Sequence, residues 1–88
     1  MNIEYRKTFL KELAQVPLPP RNTIEKFVFD YAPNLKSIFE SKKIEAMHGF
    51  PSFFKIRFGS YRVGLRIIDN KIIFERVLHR KDIYRYFP

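Results

Sequence analysis

Between Phe53 and Ile68, apolar residues alternate with basic or small ones on both sides of a Gly59-Ser60 dipeptide. A period of two sends successive side chains to opposite faces of a strand. A two-residue loop with glycine first is what a type II′ hairpin turn requires. That loop pairs residues whose numbers sum to 119, so Arg57 stands across from Arg62 and Lys55 across from Gly64. Phe54, Ile56 and Phe58 then share a face with Tyr61, Val63, Leu65 and Ile67. Lys55, Arg57, Arg62 and Arg66 gather on the other face, with Gly64 as a gap in side-chain cover. A one-residue slip would turn the whole apolar set to solvent, so the register is fixed. The rest of the chain has to cover one face of this hairpin and leave the other open.

Upstream, Ile3 and Tyr5 alternate with Asn2 and Glu4, predicting a short strand. Phe9, Leu10, Leu13 and Val16 follow at helical spacing until Pro17, Pro19 and Pro20 stop them. Asn22-Thr-Ile-Glu25 predicts an N-cap for a second helix whose apolar face is Ile24, Phe27, Val28 and Tyr31. Pro33 ends it, and Asn34 is placed to cap a last short piece carrying Leu35, Ile38 and Phe39. Downstream, Asp69-Asn70-Lys71 predicts a turn and Ile72–Leu78 a third strand. Strict alternation there turns Arg76 inward unless a bulge intervenes. The tail from His79 is too polar for a core strand and predicts a helical turn, on which Arg80 and Tyr84 share a face. The expected class is α+β: one domain over residues 1–88, an N-terminal strand and helical hairpin packed on one face of a small twisted antiparallel sheet, with a short C-terminal helical tail.

At 88 residues only one core can form, which excludes a two-domain enzyme with its own nucleotide-binding half. Cysteine is absent, so disulfides and thiolate metal sites are excluded, as suits a reducing cytoplasm. No apolar run reaches the ~18 residues of a membrane span, and the charged N-terminus lacks the apolar stretch of a secretory signal. The expectation is a cytoplasmic protein with no membrane partner. His48 and His79 are too far apart in the chain to form a metal-ligand motif, and Gly49, Gly59 and Gly64 stand singly rather than in a phosphate loop. No metal and no small-molecule cofactor are expected.

The net charge is +8, and it is uneven. Residues 53–88 carry nine of the seventeen Lys and Arg but three of the nine Asp and Glu. Six of those nine are Arg, the side chain suited to phosphate. Like charges opposed on a sheet repel by about 0.2–1 kcal/mol, and an anionic ligand over Arg57 and Arg62 would supply the missing counter-charge. Glycine at 64 would let a ligand backbone approach closely. Nucleic acid is the first candidate partner. Chemistry on it without a metal leaves RNA cleavage, with the substrate's own 2′-hydroxyl as nucleophile and the protein supplying base, acid and charge stabilisation.

The order strand, helical hairpin, three-stranded meander resembles the RelE/ParE toxin superfamily of bacterial toxin–antitoxin modules. The most specific stretches are Lys-Ile-Arg-Phe-Gly-Ser-Tyr-Arg (55–62) and His-Arg-Lys-Asp-Ile-Tyr-Arg (79–85). The resemblance implies a ribosome-dependent mRNA endoribonuclease acting in the ribosomal A site and held in check by a cognate antitoxin protein. It implies Lys55, Arg57 and Arg62 as phosphate-binding groups, Arg80 as the late arginine, and Tyr84 or Tyr86 as the base. An ordinary Tyr titrates near ~10, so that base needs surrounding cations. His79 adds an imidazole suited to donate a proton near neutral pH. His48, before glycine, falls where the family often has a basic residue, and with Arg66, Lys81 and Arg85 it makes up the expected RNA-binding set. The alternative is a non-catalytic relative: a ParE-like inhibitor of DNA gyrase, or a basic nucleic-acid-binding module of the same fold. Retention of the basic and aromatic set favours the RelE branch.

Overall fold

The computed structural model describes residues Met1–Pro88. Five strands form one sheet in the order β1-β5-β4-β3-β2: β1 Asn2–Tyr5, β2 Glu45–Ala46, β3 Phe53–Phe58, β4 Tyr61–Ile68 and β5 Lys71–His79. The hairpin has the expected register throughout, from Phe58 opposite Tyr61 to Phe53 opposite Arg66. Gly59 has φ +60°, as the first position of a II′ turn demands.

The expected α+β architecture is present, and β2 to β5 pair antiparallel. The first strand departs from that direction, because β1 runs parallel to β5, with Ile3 beside Ile72 and Tyr5 beside Phe74. Parallel neighbours need a long crossover. Here the helical hairpin and the β2–β4 strands supply it. β2 is only two residues long, too short to carry a periodic signal.

Helix α1 (Lys7–Gln15) seals the sheet through an aromatic pile: Tyr5 and Phe9 each stack on Phe74, at 5.6 and 5.5 Å between centroids. Helix α2 starts at Pro20, two residues before the expected cap, so Asn22 lies inside it. Proline fits that first helical position because its missing N–H would have no partner there. The helix widens over Lys26–Tyr31, where the Ala32 N–H bonds back five residues to the Phe27 carbonyl. Ile24, Phe27 and Val28 are buried as expected, while Tyr31 stays largely exposed. The short turn Ile38–Glu40 is capped by Ser37 rather than Asn34, its hydroxyl accepting from the Phe39 N–H. Phe39 points to solvent, 89% exposed. The core lies between these helices and the face bearing Ile56, Val63, Leu65, Ile72, Phe74 and Val77. Its opposite face carries no helix except the C-terminal turn.

Candidate functional site

Register assigns the open face row by row. Arg57, Arg62 and Leu78 make one row; Glu45, Lys55, Gly64 and Arg76 the next; Phe53, Arg66 and Ile73 the third. Arg76 reaches this face through the bulge that alternation required. Gly64 pairs with Arg76 but Leu65 pairs with Phe74, leaving Glu75 as the extra residue.

The C-terminal turn α3 (Ile83–Tyr86) lies over the middle row. Ile83 and Phe87, four residues apart, are buried and anchor it, whereas Tyr84, Arg85 and Tyr86 are exposed. Phe87 fills the gap at Gly64: a Cβ on that glycine would meet Phe87 ring carbons at 2.5–2.7 Å. The gap expected to admit a ligand backbone is therefore occupied by the chain itself. Phe53 closes the other side of the ring, edge-on at 5.4 Å.

Phe87 separates the two candidate tyrosines. Tyr84 joins Lys55, whose Nζ donates to the Tyr84 hydroxyl oxygen at 3.2 Å and lies 5.4 Å from the ring centre. Tyr86 lies instead over Arg76, at 5.2 Å. That guanidinium is committed elsewhere, making a forked pair with Glu12 of α1 at 2.6–3.1 Å. These hydrogen bonds raise the Arg76 pKa above its ordinary value against the opposing effect of burial. Glu12 also accepts from the Val77 N–H, covering the β5 edge beyond the end of β1.

Counter-charges missed by the sequence reading sit on the same face. Glu45 of β2 pairs with Arg57 at 3.1 Å, and Glu75 lies 3.5 Å from Arg6 and 3.9 Å from Arg66. Arg62 folds back on the hairpin turn, donating to the carbonyls of Gly59 (2.6 Å) and Tyr61 (3.0 Å). Opposed Arg57 and Arg62 are thus drawn apart by internal partners. Their mutual repulsion is relieved without a ligand.

The expected residues divide accordingly. Lys55, Arg57, Arg62 and Tyr84 share one side of Phe87; Arg66 and Tyr86 fall on the other. Arg80 precedes α3, its N–H bonded to the Ser60 carbonyl, which places its backbone at the hairpin-turn end beside Arg62. It does not share a helical face with Tyr84, because the helix begins only at Ile83. His79 is not brought to this face. It pairs with Tyr61 on the helix-covered side, edge-on at 5.5 Å, and its Nδ1 accepts from the Lys81 N–H. His48 is exposed in the turn before β3, at the end remote from Gly59, and Lys81 and Arg85 are exposed on the tail. No group of three or more His, Cys, Asp or Glu side chains converges to hold a metal. No helix is long and apolar enough to cross a membrane.

A short helical hairpin crossing over to a five-stranded sheet, one face of it open and lined with Lys, Arg and Tyr, is a build found among the small toxins of toxin–antitoxin modules. Residues 3–84 match the family described as ParE toxin of the type II toxin–antitoxin system parDE. Across 89 aligned residues spanning both chains in full, the sequence is 40% identical to Toxin RelE3 of Methanocaldococcus jannaschii. The RelB–RelE antitoxin–toxin complex of that organism superposes with a TM-score of 0.79 at 40% identity, over 97% of this chain and 99% of that one. A free-state mutant of E. coli toxin RelE shares the fold with a TM-score of 0.67 at 18% identity, over 96% and 90% of the two chains. The chain belongs to the RelE/ParE family of toxins.

Proposed function

We propose that this chain is the toxin of a RelBE-type module and an endoribonuclease that cuts mRNA in the ribosomal A site. The observation that carries this reading is the cluster of Lys55, Arg57, Arg62 and Tyr84 on one side of Phe87, three cations and a phenol on an exposed sheet face. A ribose 2′-oxygen attacks the adjacent phosphorus, the 5′-oxygen leaves, and the products are a 2′,3′-cyclic phosphate and a 5′-hydroxyl. Arg57 and Arg62 hold the scissile phosphate and the charge that grows on it. To do so they exchange Glu45 and the turn carbonyls for phosphate oxygens. Tyr84 takes the 2′-hydroxyl proton, and Lys55 steadies its oxygen. Arg80, at the Arg62 end of the face, stabilises the departing 5′-oxygen, which takes its proton from water, while Tyr84 returns the proton it accepted to solvent. His79 has no part in this arrangement, because its imidazole lies on the other side of the sheet.

None of these groups is a strong acid or base, so correct placement of the RNA supplies much of the rate. A ribosome-bound mRNA, held in one geometry, meets that need. The partner in the resting state is a cognate antitoxin, as RelB is for RelE in the M. jannaschii complex. Mapping mRNA 5′ ends after adding the protein to translating ribosomes tests the reading. Discrete cuts in the A-site codon are expected. Intact mRNA together with arrested replication would instead identify a gyrase-directed toxin.

A further inference from the structure

On the opposite side of the sheet from Tyr84, where α2 meets the segment leading into β2, lies a cavity of about 450 Å3. Phe27, Tyr31 and Phe58 form its floor, and Lys26, Lys42 and Lys43 form its rim. The rings are locked together, Phe27 lying 5.0 Å from Tyr31 and 5.6 Å from Phe58. Lys43 stands 5.1 Å above the Phe58 ring. All three lysines are exposed and none makes an ion pair, although Arg6, Arg57, Arg66, Lys71 and Arg76 all do. The cavity lining contains no carboxylate. A neighbouring hollow, sharing Lys26 and Tyr31, is edged by Asp30 and Glu40 and gives the groove a direction from basic to acidic.

We infer that this groove is a docking site for an acidic amphipathic segment of the partner protein, with one apolar side chain seated over Phe27, Tyr31 and Phe58 and carboxylates reaching Lys26, Lys42 and Lys43. The inference rests on the antitoxin partnership proposed above and gives it a contact surface, away from the RNA-cutting face. Charge complementarity selects the occupant: three unpaired cations around an apolar cup match an apolar residue flanked by Asp or Glu. RNA matches less well. The rim holds only lysines, which cannot make the forked phosphate contacts of arginine. Phe27 and Phe58 are 8% and 6% exposed, which leaves Tyr31 as the one ring of the floor with a face open to base stacking.

The test uses the full-length chain co-expressed and purified with the protein encoded by the neighbouring gene of its module. Hydrogen exchange of free and complexed chain should show protection over 26–31 and 41–43. A Lys26→Glu/Lys42→Glu/Lys43→Glu variant should bind that protein 10- to 100-fold more weakly, with a shallower salt dependence, at an unchanged melting temperature. Tyr31→Ala, at an exposed position, should weaken binding with its salt dependence intact. Cleavage of mRNA on programmed ribosomes by the triple variant should equal that of the parent. A complex that forms with this groove unprotected and the triple variant bound normally would overturn the inference and leave the antitoxin reading standing. Failure to form any complex would overturn both. Loss of ribosome cleavage in the triple variant would reassign the groove to RNA.

Discussion

Gly64→Ala should undock the C-terminal turn. Its Cβ would lie 2.5, 2.6 and 2.7 Å from three ring carbons of Phe87, where ordinary contact begins near 3.4 Å, so something must move by nearly 1 Å. The β4 backbone is held between β3 and β5, whereas Phe87 hangs from a four-residue turn. The tail will therefore give way. Phe87 is only 4% exposed, and crowding or unseating a buried aromatic costs about 1–3 kcal/mol. Tyr84 would then leave Lys55, and a displacement of this size lowers a positioned reaction by about 10²-fold. Urea unfolding of a double-mutant cycle isolates the contact. In the Phe87→Ala background the same Gly64→Ala change should be neutral or stabilising by about 0.4–1 kcal/mol, since alanine restricts the unfolded chain and the clash is gone. An equal loss of stability from Gly64→Ala in both backgrounds would place the damage in the sheet and refute the Phe87 contact.

Arg62→Ala should leave the unfolding midpoint within about 0.5 kcal/mol, because its partners are two local backbone carbonyls, exposed at Gly59 and part-buried at Tyr61, yet reduce cleavage on programmed ribosomes by about 10²–10³-fold. Glu12→Gln should cost about 1.5–3 kcal/mol in urea unfolding, since it weakens charge-assisted bonds to Arg76 and the Val77 N–H in a half-buried site. Stability should fall as pH rises beyond 10. Burial, with Asp30 adding, raises the Tyr5 pKa above its ordinary 10.0, and its proton is donated to the Val28 carbonyl at 2.6 Å. The unfolded chain releases that proton first, so Tyr5 contributes fully below pH 10 and its contribution is lost as pH climbs through the folded value. Tyr5→Phe should flatten that part of the alkaline profile, measured as urea midpoints from pH 8 to 11.

The hairpin could be read from sequence because two local signals agreed, the alternation on each strand and the glycine-first turn, and every pair followed. The helical faces were readable for the same reason, with the exceptions of Leu10, Tyr31 and Phe39, which are exposed. The direction of β1 was not, since four residues alternate alike whether their neighbour is parallel or antiparallel. The bulge left a trace: Glu75-Arg76 puts two charged residues in succession between Phe74 and Val77, where alternation demands one. Strict parity without the bulge would have put His79 on the open face with Arg62; the bulge shifts it to the Tyr61 side instead. Gly64 was correctly a point of close approach, but whether a ligand or the chain's own Phe87 fills such a gap is a long-range fact that no local pattern carries. Glu12, Glu45 and Glu75 escaped notice for the same reason. Each is an ordinary acidic residue until the fold sets it beside an arginine.

Chemical analysis of the RNA ends left on programmed ribosomes bears most directly on the proposed cleavage site. With Lys55, Arg57, Arg62 and Tyr84 acting as assigned, upstream fragments end in a 2′,3′-cyclic phosphate and downstream fragments begin with a 5′-hydroxyl, and Tyr84→Phe slows their appearance far more than Tyr86→Phe. Fragments bearing 5′-phosphate and 3′-hydroxyl ends would mean that water, not the ribose, attacks the phosphorus, and would contradict it.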